Sequence, residues 1–85
     1  MSEIYNKALA HFGKDAQVIK CVSECNELAT VLLHYREEKK KDADVIDEIA
    51  DVIICSRQMA ILFGEDAVND RIHYKMNRLR GMMDG

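Results

Sequence analysis

Residues 44–64 read DVIDEIADVIICSRQMAILFG, and the fold follows from how that run is read. Glu48, Val52, Cys55, Met59 and Leu62 recur at about 100° per residue and share one azimuth of a helix, with Asp51 beside them. Ile49, Ile53, Ala60 and Phe63 widen the apolar arc, and Ile54 and Ile61 fall on its outer side. A helix that is apolar nearly all round is covered on all sides. A chain of 85 residues cannot surround one of its own helices. A second subunit is therefore expected over Ile54 and Ile61.

Upstream, residues 16–38 read as another long helix, with Asp15 as its N-cap. Val18, Cys21, Val22, Cys25, Leu28, Ala29, Leu32 and Leu33 form its broad apolar face, and Gln17, Lys20, Glu24, Glu27, Val31 and Tyr35 line its edge. The two helices share a pattern. Ser23-Glu24-Cys25-Asn26-Glu27-Leu28 aligns with Asp47-Glu48-Ile49-Ala50-Asp51-Val52. Each holds two carboxylates three residues apart, which share a helix face. Packed together, the helices bring Glu24, Glu27, Glu48 and Asp51 into one small volume. Such close like charges repel, and burial raises the cost. A hard divalent cation offsets it, and all-oxygen ligation suits Mg2+, with Mn2+ as the second choice.

The rest of the chain is shorter-range in its signals. Residues 3–12 form a short helix capped by Ser2 and stopped by Gly13, with Ile4, Ala8 and Phe12 as its stripe. Asp44 is expected to cap the 45–63 helix, in a capping box with Asp47, and Gly64 ends it. A last helix spans residues 67–80, with Val68, Ile72, Met76 and Leu79 as its stripe, Gly81 after it and a frayed tail. Arg71, Lys75, Arg78 and Arg80 make it basic. Lys75 and Arg78 share a face: either an ordinary solvated surface or a phosphate clamp for the acidic site. Between the long helices, Arg36-Glu37-Glu38-Lys39-Lys40-Lys41-Asp42 reads as a solvated helix end and loop.

Composition narrows the class. The expectation is one all-α domain over residues 1–85, of short antiparallel helices in a four-helix-type bundle completed by oligomerisation, without a membrane span. A net charge of −3 gives no footprint for nucleic acid. Three cysteines, an odd number at apolar positions, read as reduced core residues in a cytoplasmic protein, and they lack zinc-ligand spacing. There is no Gly-rich phosphate loop and no Glu-x-x-His. His34 lies near the azimuth of Glu27, but a packing role suits it better than ligation.

Glu24-x-x-Glu27, a twenty-residue gap and Glu48-x-x-Asp51 resemble the acidic signature of the MazG-like all-α nucleoside triphosphate pyrophosphohydrolases, related to dimeric dUTPases and dCTP pyrophosphatases. Phe12-Gly13-Lys14-Asp15-Ala16-Gln17 is similar to their entry segment, and Lys75-Met76-Asn77-Arg78-Leu79 to their basic motif, although here Leu79 separates Arg78 from Arg80. The resemblance implies hydrolysis of a (d)NTP between the α and β phosphates. Glu24, Glu27, Glu48 and Asp51 would hold magnesium as the catalytic set. Lys75 and Arg78 would contact phosphates, with Gln17 and Lys20 as further candidate substrate contacts. It also implies a dimer or tetramer with sites near the subunit interface. Two rivals stand beside this reading. One is a non-catalytic module that binds a nucleotide or partner protein. The other is a plain bundle whose carboxylates pair with Lys20, Lys75 and Arg78.

Overall fold

The computed structural model describes residues 2–84, and it is all-α: α1 (Ser2–Phe12), α2 (Lys14–Arg36), α3 (Asp42–Phe63) and α4 (Glu65–Asp84). α2 and α3 form an antiparallel hairpin that supplies most of the packing, α1 lies against both, and α4 touches only α3. The radius of gyration is 15.6 Å, against about 12 Å expected for a compact domain of this length. The hairpin is thus the core, and α4 extends from it with no buried residue of its own.

Single glycines make two of the joints. Gly13 (φ 89) and Gly64 (φ 121) occupy backbone conformations that side-chain-bearing residues rarely adopt. Both act as the expected stops. The α2–α3 joint is built differently. The Lys39 N–H donates to His34 O (2.9 Å) and the Glu38 N–H to Tyr35 O (3.0 Å), the two bonds of a Schellman turn. Its left-handed position is Glu38 (φ 61), where glycine is usual.

Several boundaries move from their sequence expectations. α2 starts at Lys14 after Gly13, so Asp15 sits in its first turn and does not cap it. α3 starts at Asp42, and the Asp44 carboxylate accepts from the Lys41 N–H at 3.0 Å, one helical turn earlier than the Asp44–Asp47 box. α4 runs through Gly81 to Asp84, so residues 82–84 are helical. Ser2 is already in α1, and its side chain and Gly85 lie outside the described part.

In α3 the expected stripe holds in part: Cys55 is buried and Glu48, Asp51, Val52, Met59 and Leu62 are half-buried. Ile49, Ile53 and Phe63 of the expected apolar arc are exposed, Ile61, expected outside with Ile54, is half-buried, and the polar Gln58 is buried instead. In α2 the expected face does not hold. Its buried stripe runs through Cys21, Glu24, Leu28 and Val31, while Val22, Leu32 and Leu33 are exposed. The apolar residues of α2 span so much of its circumference that periodicity could not choose between edge and face. The pairing with α3 turns the acidic edge inward. It leaves Val22 and Leu33 on α2, Ile46, Ile49 and Ile53 on α3, and Ile72, Met76 and Leu79 on α4 exposed. Among the described residues no helix is long and apolar enough to cross a membrane.

Candidate metal centre

Turning the α2 edge inward sets its carboxylates against those of α3. One oxygen each from Glu24, Glu27 and Glu48 lies within 4.8 Å of the others, and the same holds for Asp47, Glu48 and Asp51. Glu48 belongs to both groups. Of the four residues expected from the sequence, Glu24, Glu27 and Glu48 are therefore brought together, and Asp51 adjoins them through Glu48. Asp47, expected as the capping-box partner of Asp44, instead joins Glu48 and Asp51. Its signal was its position four residues before Asp51, on the same helix face.

Glu24 is only 6% exposed. Lys20 reaches one of its oxygens, Nζ to Oε1 at 3.0 Å. Its other oxygen, Oε2, is buried with no hydrogen-bond partner, and so is Oε2 of Glu48. A buried carboxylate oxygen without a donor is expensive. Burial pushes the Glu48 carboxyl above its usual range, and the charges of Glu27, Asp51, Glu24 and Asp47 push it further. Lys20 is shifted upward too, through its hydrogen bond to Glu24 and then the Glu24 charge. One ammonium beside five carboxylates leaves a negative excess in the cluster. All the donors are hard oxygens, and two of them are buried and free. These residues fit a magnesium-type cation.

Two cavities flank the carboxylates. The larger, about 850 Å³, lies under α1 and reaches Glu24 and Asp51. Its walls are mainly apolar, with Ile4, Ala8, Phe12 and Ile54, and the amides of Gln17 and Gln58 also face it. Gln58 is 3% exposed and donates from Nε2 to Tyr5 O at 3.0 Å, fastening α1 to α3 as a roof. The smaller, about 500 Å³, reaches Glu27 and Glu48.

Gln17 and Lys20 thus stand in the wall of the larger cavity. Lys75 and Arg78 line neither cavity, and both are exposed on α4. Among the described residues neither makes an ion pair with the carboxylates, so only Lys20 pairs as the plain-bundle rival requires. Of the three cysteines expected in the core, Cys55 is buried, Cys21 half-buried and Cys25 exposed, and burial pushes the Cys55 thiol up to about 12. They are free thiols. No protein-family model, curated protein or solved structure matches this chain.

Proposed function

We propose that this protein is a magnesium-dependent nucleoside triphosphate pyrophosphohydrolase that cuts a (d)NTP between its α and β phosphates. The observation that carries the reading is the pair of buried, partnerless oxygens on Glu24 and Glu48, residues that each line one of the two cavities. A cavity of about 850 Å³ is within the usual range for small-molecule sites. Its apolar walls suit a nucleobase, and the amides of Gln17 and Gln58 can read base or sugar edges. The carboxylates then stand where the phosphates begin.

Glu24, Glu27, Glu48 and Asp51 would hold the ion, with Asp47 beside them. Held there, such an ion would supply Lewis-acid charge neutralisation for the phosphates and the attacking water. One carboxylate orients the attacking water and takes its proton. Lys20 sits at the cavity wall, ready to neutralise a phosphate oxygen. The sequence resemblance to the MazG-like enzymes points to the same reaction.

The exposed apolar residues of α2, α3 and α4 support a homo-oligomer, a dimer or tetramer, in which a second copy covers them. The phosphate-binding role of Lys75 and Arg78 rests on that assembly, because α4 packs only on α3 within one chain. This distance favours a second reading, a nucleotide-binding module without turnover.

The deciding experiment is pyrophosphate release from a panel of NTPs and dNTPs, with magnesium and with chelator. Magnesium-dependent release that Glu48→Gln or Asp51→Asn abolishes, with helicity unchanged, establishes the enzyme. Nucleotide binding with no release establishes the module. Monomeric sedimentation at micromolar concentration would remove the oligomer.

A further inference from the structure

Gln58 is a polar side chain that the acidic centre does not use, and it is buried on α3 to 3% exposure. Its Nε2 donates to Tyr5 O at 3.0 Å. That bond settles the orientation of the amide. Turned over, it would set Oε1 against the Tyr5 carbonyl oxygen, two acceptors with no proton between them. Among the described residues Oε1 accepts no hydrogen bond. Nor is it fully covered: among those residues, the wholly buried side-chain oxygens without a partner are those of Glu24 and Glu48. Oε1 therefore keeps an open surface, and the opening that Gln58 lines is the larger cavity, under α1. One end of the amide is tied to the roof, and the other is an open acceptor at the cavity wall.

A ligand that fills the cavity without offering this oxygen a donor leaves an acceptor stripped of water, which costs more than a made bond returns. The apolar neighbours Ile4, Ala8, Phe12 and Ile54 cannot supply that donor. We infer that Gln58 is a specificity-determining residue of the larger cavity, selecting a nucleobase with an exocyclic amino group (adenine or cytosine) over its oxo counterpart (hypoxanthine or uracil). At that ring position the amino bases donate and the oxo bases accept. The oxo bases carry a ring N–H beside it. To use that N–H they must bring their own oxygen alongside Oε1, where two acceptors repel. The Tyr5 bond keeps the amide from turning to meet them. The inference rests on the nucleotide reading of this cavity and adds which bases it takes.

Calorimetric titration with two pairs of nucleoside monophosphates, AMP against IMP and CMP against UMP, tests this with magnesium present. None of the four has the bond that the proposed reaction cuts. The amino member of each pair should bind the wild type about tenfold tighter, the worth of one hydrogen bond in a site built for it. Gln58→Met keeps the approximate volume and should bring the members of each pair to the same affinity. A purely structural Gln58 would lower all four affinities together and leave their ratios unchanged. Equal binding within each pair by the wild type would overturn the inference, and that comparison needs no variant to fold. So would ratios that survive Gln58→Met, or a wild type that binds none of the four. If the wild type cuts triphosphates with no preference for the amino bases, the hydrolase reading stands and the selection falls. If Gln58 sorts the monophosphates but no triphosphate is cut, the reverse holds.

Discussion

Lys20 meets Glu24 one helical turn away at 3.0 Å, yet it serves only Oε1, and the buried Oε2 has no donor. The pair is half-finished: a lysine placed before its glutamate at this spacing is also the weaker orientation. A divalent cation completes it. Magnesium should therefore raise the melting temperature, by a free energy of about 2.7 kcal/mol at a hundredfold excess over Kd. In Glu24→Gln the gain should shrink to a small fraction of that, measured by thermal denaturation with and without chelator. An equal magnesium response in both proteins would remove Glu24 from the centre.

The pH dependence has a defined sign. Glu48 is held above its ordinary 4.5 by burial and by its acidic neighbours. Its contribution to stability is then fully present below that ordinary value and is lost as pH rises through the raised one. Metal-free protein should melt at a lower temperature at about pH 7 than at about pH 5. Saturating magnesium should flatten the difference, because the bound ion favours the ionised carboxylate. Glu48→Gln should flatten it without metal. A metal-free melting temperature that climbs between these pH values would contradict the arrangement.

The α2–α3 turn carries a correctable strain. Glu38 holds φ 61 at the position where a Schellman turn takes glycine. Glu38→Gly should stabilise the fold by up to about 1 kcal/mol, the cost of a side chain in that region. Urea denaturation would read the gain. A loss of stability would mean that the Glu38 side chain makes a contact worth more than the strain.

Gln58 is the hidden fastening of α1. Gln58→Met keeps its approximate volume and removes the hydrogen bond to Tyr5 O. The expected loss is about 0.5–1.5 kcal/mol, the net worth of one hydrogen bond, because Tyr5 O keeps its place in the α1 helical ladder. Amide exchange in α1 should accelerate before that in α2. Unchanged exchange in α1 would show that apolar contact alone holds it.

Legibility differed from helix to helix, for physical reasons. In α3 the carboxylates and the apolar residues lie on one azimuth, so the sequence indicated which side packs inward. In α2 the apolar residues outnumber what one neighbour can cover, and Val22 and Leu33 were placed in a core that the chain alone does not close. The acidic set is readable as two matched pairs, but Asp47 reads as the capping partner of Asp44, and only the earlier start of α3 frees it for the cluster. The end of α4 was misjudged at Gly81, whose backbone stays helical where glycine only lowers propensity. Neither cavity could be read, since each depends on how the helices cross.

Gln58 grips the main chain of residue 5 and ignores its side chain. Any amino acid there can present the same carbonyl. The roof of the larger cavity can therefore be resurfaced, through residues such as Ile4, Ala8 and Phe12, while its attachment is inherited intact. Descendants of this chain are free to explore new ligands by changing α1 alone, with the acidic floor untouched.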